Sequence, residues 1–313
     1  MKKITVIGAN PAWQKTLEFS RFAVGEVNRA VSSCEFASGK GINFCRAAGI
    51  WQVARAEVIQ FVGGRNGELI TQKASEEGLV CRGVATRAPS RCCITCLDRE
   101  HALTTECIEP SFAAEKEEIA RFVAETEQSL TDAALAAICG TLPGGTDPIV
   151  YAQIADLARI RKLPILLDAI KNTESVFATA PEIWLKINRQ ELSELSGEET
   201  PEAGLRRLFA RFGNLRYAGI TSGPDTAYFS DGVDIIRYEQ PKLPPRQIVS
   251  TLGCGDTASA VFGSELLNGT APAEAFRLAL GAASANCLTL KCGEFSPIQA
   301  RDLADQTTLS GCR

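Results

Sequence analysis

Pro164-Ile165-Leu166-Leu167-Asp168 is the stretch that decides the fold class. Three aliphatic residues follow one another with no polar residue between them. A strand with one face in water alternates polar and apolar side chains, whereas a parallel strand covered on both faces does not. The run comes after a helical stretch, Pro148–Arg161, and before a second apolar run, Ile183–Ile187. The same alternation extends outward in both directions. Thr5–Ala9, Glu57–Val62, Ala134–Cys139 and Tyr217–Thr221 read as further buried strands. Gly67–Glu77, Ala113–Ser129, Gln190–Leu195, Pro201–Phe212, Asp256–Leu267 and Ala273–Leu290 read as helices. The expected class is α/β, with a mostly parallel central sheet and helices on both faces.

Two regions interrupt the alternation. Trp13–Phe19 with Val27–Phe36, and Arg91–Leu97 with Leu103–Glu109, read as antiparallel strand pairs. Leu103 to Ile108 has Thr104, Thr105 and Glu106 between apolar ends, the pattern of a half-exposed strand. These segments, at about 12–36 and 90–109, are expected to form a small β-sheet lid beside the main sheet. There is no internal repeat, low-complexity tract or long linker, so a single domain over residues 1–313 is expected.

Composition narrows the function classes. A hydrophobic share of 45% and a charged share of 22% fit a folded globular chain and exclude wholesale disorder. The net charge of −4 lacks the basic footprint of a nucleic-acid binder. No run approaches the roughly eighteen apolar residues of a membrane span. The basic, apolar start at Met1 to Ile7 is stopped at Gly8-Ala9-Asn10-Pro11, too early for a signal peptide. A cytoplasmic protein is therefore expected, and its twelve cysteines read as reduced thiols used mostly as small apolar residues. Cys93-x-x-Cys96 has metal-like spacing, but no second pair follows it. The single histidine, His101, makes Ser-His-Asp or Cys-His catalysis improbable and points to a carboxylate as any general base.

Four motifs can carry chemistry. The strongest is Thr251-Leu252-Gly253-Cys254-Gly255-Asp256-Thr257-Ala258-Ser259-Ala260. Small residues lead into an apolar helix, whose first amides and dipole favour an anion. Asp256 is then either a base beside an anion hole or a simple N-cap. The second is Ser38-Gly39-Lys40-Gly41-Ile42-Asn43, where Lys40 and Asn43 could meet sugar hydroxyls or a phosphate. It lacks the Walker A spacing, and read alone a glycine-rich turn before a helix is the better explanation. In the third, Asn188 and Glu191 stand three apart at a helix start, which suits a hydrated Mg²⁺ or a capping box. The fourth, Gly140-Thr141-Leu142-Pro143-Gly144-Gly145, is a loop at a strand's C-terminal edge, where open α/β sheets bind ligands.

Taken in order, these motifs resemble the PfkB (ribokinase-like) carbohydrate kinase family over nearly the whole chain. Gly39-Lys40-Gly41 with Asn43 is similar to the family's G-G-K-G-x-N, with Ser38 in place of the first Gly. Gly253-Cys254-Gly255-Asp256 is similar to its G-A-G-D, and Asn188-x-x-Glu191 to its N-x-x-E. Asn10-Pro11-Ala12, Gly25-Glu26-Val27-Asn28-Arg29, Arg91 and Thr105-Glu106 resemble the 1-phosphofructokinase, tagatose-6-phosphate kinase and 6-phosphofructokinase branch. The resemblance implies an ATP- and Mg²⁺-dependent kinase acting on a sugar or sugar phosphate. Asp256 would be the base, and the amides of Gly253, Cys254 and Gly255 the anion hole. Gly39, Lys40, Asn43 and Arg91 would bind the acceptor, with Lys40 and Arg91 on its existing phosphate. Thr221, Ser222 and Gly223 would hold nucleotide phosphates, with Lys186 and Asn188 near the triphosphate and Asn286 near the adenine. Glu191 would reach Mg²⁺ through water. A homodimer through an apolar lid face including Phe19 and Ile94 is also implied.

The departures lie at the sugar end. Gln14 stands where the branch has an Asp that binds sugar hydroxyls, so an anionic acceptor has been lost. Trp13 beside it offers a ring for stacking. Thr226 stands where the nucleotide loop usually has a second Gly. Two alternatives follow: a catalytically weak member acting as a sugar-phosphate-binding or regulatory protein, and a nucleoside kinase.

Overall fold

The computed structural model of the chain describes residues 1–312. The strands in chain order are β1 (Lys3–Ile7), β2 (Ala12–Phe19), β3 (Ser32–Ser38), β4 (Arg55–Val62), β5 (Val80–Ala85), β6 (Arg91–Asp98), β7 (Leu103–Ile108), β8 (Leu135–Cys139), β9 (Ile165–Asp168), β10 (Ile183–Asn188), β11 (Leu215–Thr221), β12 (Ala227–Ser230), β13 (Ile235–Glu239) and β14 (Thr308–Cys312). The helices are α1 (Lys40–Trp51), α2 (Gly64–Glu76), α3 (Lys116–Ser129), α4 (Ile149–Arg161), α5 (Glu174–Thr179), α6 (Arg189–Ser196), α7 (Pro201–Arg211), α8 (Cys254–Asn268), α9 (Pro272–Asn286) and α10 (Pro297–Asp305). Ten strands form the main sheet in the order β14-β13-β12-β11-β10-β9-β8-β1-β4-β5. From β5 to β11 every pairing is parallel, and β12, β13 and β14 extend the sheet antiparallel.

The strand at Ile165-Leu166-Leu167 shows why its alternation is missing. Leu166 faces the core shared with α1, α2, α8, α9 and α10, while Ile165 and Leu167 face the core under α3 to α7. Each face is apolar because each is roofed by helices. Val6 and Val58 join the first core, and Ile7 and Ile59 the second, by the same period of two.

β3, β2, β6 and β7 form the lid. The two expected antiparallel pairs are present, β2 with β3 and β6 with β7, and a parallel β2–β6 pairing joins them. β3 begins at Ser32 rather than Val27. The Asn28 side chain ties back to both the N–H and the C=O of Ala23, so residues 23–28 close as a loop. Phe19 is buried against Phe22, not exposed as the dimer argument supposed; the exposed apolar lid residues are Leu103 and Ile108, with Val24, Val27 and Val31 in the loop. Cys93 and Cys96 lie three apart on one strand and so point to opposite faces, which rules out a shared ion.

α9 ends at Asn286 rather than Leu290. There the Cys287 carbonyl turns to accept the amides of Val249 and Ser250. No helix among the described residues is long and apolar enough to cross a membrane.

Candidate active site

The C-terminal ends of the parallel strands deliver the site, as expected for an open α/β sheet. Gly8 follows β1, Gly140 follows β8, Asp168 ends β9, Asn188 ends β10 and Thr221 ends β11. Gly8 lets α1 come down on the sheet, since a Cβ there would lie 2.6 Å from the Gly41 Cα. Gly140, at φ 83°, turns the chain beneath the Lys40 side chain.

Asp256 lies in the first turn of α8, behind Gly253 at φ 75°. That left-handed conformation favours glycine, and a Cβ would strike Cys292 at 2.6 Å. The amides of Cys254, Gly255 and Asp256 begin the helix. Asp256 is 7% exposed, and its Oδ2 accepts a 2.8 Å hydrogen bond from Asn43 Nδ2. The Asn43 carbonyl oxygen in turn accepts from Ser38 Oγ and Arg46 Nη1. Asn43 is thus a buried clamp on Asp256. Burial pushes the Asp256 carboxyl above the usual range; the Lys40 ammonium opposes this, and the Asp168 carboxylate adds to it.

Asp168 is the residue that sequence reasoning missed, having been read only as the end of a strand. Its Oδ1 meets Lys40 Nζ at 2.7 Å, its Oδ2 accepts from Ser259 Oγ at 2.6 Å, and Lys186 Nζ lies 3.6 Å from Oδ2. Burial alone would raise its pKa, but Lys186 and Lys40 outweigh burial and hold the carboxyl at about 2. Burial likewise acts against the Lys40 charge, and the Asp168 and Asp256 carboxylates override it, holding the ammonium well above its ordinary range. Lys186 also sits against the helix start, for a Cβ on Gly255 would lie 3.0 Å from its Nζ. Two cations and two carboxylates therefore surround the first turn of α8. The only sequence signal for Asp168 was its position, an acid at the C-terminal end of a parallel strand.

On the nucleotide side, Asn188 pairs in register with Thr221. The chain then turns through Ser222 and Gly223, with the Asp225 amide bonding to the Ser222 carbonyl. Gln240 donates to the carbonyls of Gly223 and Asp225 and steadies this turn. Asn188 and Glu191 form a reciprocal capping box on α6, in which Glu191 uses Oε2. Its other oxygen has no partner among the described residues, and its charge is felt by Lys40. Among the described residues no three acidic, histidine or cysteine side chains gather as a metal cage. One free carboxylate oxygen at this edge fits a cation that keeps most of its waters. Asn286 is different from expectation. It is fully buried, accepts from Thr257 and the Gly293 amide, and donates to the Leu252 carbonyl. It braces the loop before α8 and leaves no face for a base.

At the lid, Gln14 and Trp13 point to opposite faces. Gln14 is buried and donates to Thr95 Oγ1 at 2.8 Å, while Trp13 packs on the main core. Trp13 is therefore not a stacking ring beside Gln14. Arg91 opens β6, and its Nη2 donates to the Asn10 carbonyl at 3.3 Å. Among the described residues its buried Nε has no hydrogen-bond partner. It lines a cleft with Asn10, Ser111 and Pro143. Lys40 pairs with Asp168, and Arg91 with the Asn10 carbonyl at the lid root.

A model of the pfkB family carbohydrate kinases matches residues 1–299, and the chain belongs to that family. Such kinases phosphorylate a sugar hydroxyl. Among solved structures it is similar to Escherichia coli phosphofructokinase-2 in complex with fructose-6-phosphate, at 20% identity and TM-score 0.85 over 98% of this chain and 99% of that one. It is also similar to a Thermotoga maritima protein described as a possible 1-phosphofructokinase, at 16% identity and TM-score 0.88 over 99% and 100% of the two chains. At these identities the likeness speaks for the fold.

Proposed function

We propose that this kinase transfers the γ-phosphoryl group of ATP to a hydroxyl of a sugar phosphate, with Asp256 as general base. The observation that carries the reading is the Asp256 carboxylate, buried at the start of α8 and clamped by Asn43 at 2.8 Å. Asp256 takes the proton of the acceptor hydroxyl as its oxygen attacks the γ-phosphorus. The bond to the departing ADP oxygen breaks. The amides of Gly253, Cys254 and Gly255, with Lys186 beside them, stabilise charge on the transferring group. Lys40 and Asp168 form an ion pair that keeps the surrounding charge in place. Thr221, Ser222, Gly223 and Asn188 line the nucleotide-phosphate side. A magnesium ion, when bound, supplies charge neutralisation between phosphates, and Glu191 would hold it through water.

The sugar-phosphate class rests on Arg91. Its buried, unpartnered Nε in the Asn10–Ser111–Pro143 cleft is a donor waiting for an anion. Gln14, as a neutral amide, supports an acceptor related to, yet distinct from, the fructose and tagatose phosphates. The test is ADP release across hexoses, pentoses and their monophosphates, with Asp256→Asn as the blank. Turnover of phosphosugars above that blank is the expected result. No turnover with any acceptor would overturn the reading. Arg91→Ala is expected to raise KM for phosphorylated sugars more than for free ones; equal effects would remove Arg91 from the phosphate site.

A further inference from the structure

We propose that Cys254 and Cys287 are a site of oxidative modification, at which a peroxide closes a disulfide beside the anion hole. The two Sγ atoms lie 3.3 Å apart. A disulfide bond is about 2.05 Å long, so closure asks for roughly 1.3 Å of movement. Both side chains are partly exposed, unlike Cys45 and Cys139 in the core. The hydrogen bond between them holds the Cys287 thiol below its ordinary pKa and the Cys254 thiol well above. The lowered pKa favours Cys287 as the attacking thiolate, with the Cys254 sulfur 3.3 Å away as the resolving thiol. The third thiol nearby, Cys292, is fully buried and is pushed up to about 12 by that burial.

The bond would tie the α8 end of the loop over residues 249–254 to the C-cap of α9, which already holds the loop's other end. The Cys287 carbonyl already accepts the amides of Val249 at 2.8 Å and Ser250 at 3.3 Å, where the chain enters the loop. Cys254 is where the same loop becomes α8. Gly253 between them has no slack, because its left-handed turn is pressed against Cys292. Movement of Cys254 toward Cys287 therefore passes to the amides that face the phosphoryl group.

The chemistry balances with hydrogen peroxide as oxidant. The Cys287 thiolate attacks one peroxide oxygen, the O–O bond breaks, and a sulfenic acid and hydroxide form. The Cys254 sulfur then attacks the sulfenic sulfur, forming the S–S bond and expelling a second hydroxide. The two thiol protons convert the hydroxides to water. Two electrons pass from the sulfurs to the peroxide.

The bridge itself does not depend on the proposed reaction; the loss of turnover does. The full-length protein is treated with hydrogen peroxide, alkylated, digested and mapped by mass spectrometry. The expected result is a Cys254 peptide linked to a Cys287 peptide and released by dithiothreitol. Sulfenic, sulfinic or other disulfide products at these thiols in its place would overturn the site. Nucleotide affinity, measured by fluorescence titration, and phosphosugar turnover are followed in parallel. Turnover is expected to fall at least about tenfold and to return on reduction, and Cys287→Ser is expected to resist. Equal inactivation of Cys287→Ser would overturn the link to activity. A Cys287→Ala control, and the map of the unmutated protein, keep the test decisive if Cys287→Ser folds poorly.

Discussion

Asp256 and Asp168 are both buried, yet their environments push them in opposite directions. The Asn43 clamp satisfies one oxygen of Asp256, but burial and the neighbouring carboxylate still favour its neutral form. Asp168 has Lys40, Lys186 and Ser259 around it and stays ionised. Raised in the folded state, Asp256 contributes stability below its ordinary value of 3.8, and this is lost as pH rises through its folded pKa. Near neutral pH it is a strained, costly charge. Asp256→Asn is therefore expected to lower kcat by about 10²–10⁴-fold while raising Tm, checked by steady-state kinetics and thermal melts. The acidic limb of kcat/KM is expected above the ordinary carboxylate range. Asp168 works the other way. It stabilises the fold above 3.8, and that stability is lost as pH falls through about 2. Asp168→Asn leaves two ammonium groups facing a neutral amide and is expected to cost about 3–5 kcal/mol, measured by denaturant unfolding.

At the scale of elements, two glycines separate packing from chemistry. A Cβ on Gly41 would lie 2.7 Å from the Gly8 Cα and 2.8 Å from Val58 Cγ2, so it would lever α1 off the sheet. Gly41→Ala is expected to cost about 1–3 kcal/mol in a denaturant melt. A Cβ on Gly255 meets only the Lys186 Nζ, at 3.0 Å. Gly255→Ala is expected to leave Tm nearly unchanged and to lower kcat, because it displaces the ammonium from the first turn of α8. Most of this layout is legible in the sequence. Ile165-Leu166-Leu167 announces its two-sided burial, and both signature loops are local runs whose glycines stand next to the residues they serve. The capping box on α6 was legible as well, since Asn188 and Glu191 are three apart. What escaped was set by distance. β12 and β13 are short, with Tyr228 and Arg237 breaking the apolar pattern, and take their places through strand neighbours rather than propensity. Asp168 acquires its role from Lys40 and Ser259, 128 and 91 residues away in sequence. Asn286 matched a motif position, yet the surrounding chain, not the motif, decides that it is buried.

Across the whole molecule, the lid leaves β7 as an outer strand with every residue exposed, Leu103 and Ile108 among them. An unpaired outer strand with exposed apolar ends is a pairing surface. We propose that a second copy covers it. The unmutated protein is then expected to sediment as a dimer and Leu103→Lys as a monomer; a monomeric unmutated protein would reject the idea. The strand order has a further consequence for how the protein is made. From β8 to β14 each strand lies beside the one synthesised just before it, so these seven of the ten strands can be added by short-range steps as the chain emerges. The site cannot form that way. Arg46 in α1 bonds the Cys292 carbonyl, and Gly293 packs against the Asn43 carbonyl, so the residues that orient Asp256 meet only when nearly all of the chain has been made. A nascent chain stopped before Cys292 would have a nearly complete sheet and no working centre, which makes the ability to turn over substrate a late checkpoint on synthesis.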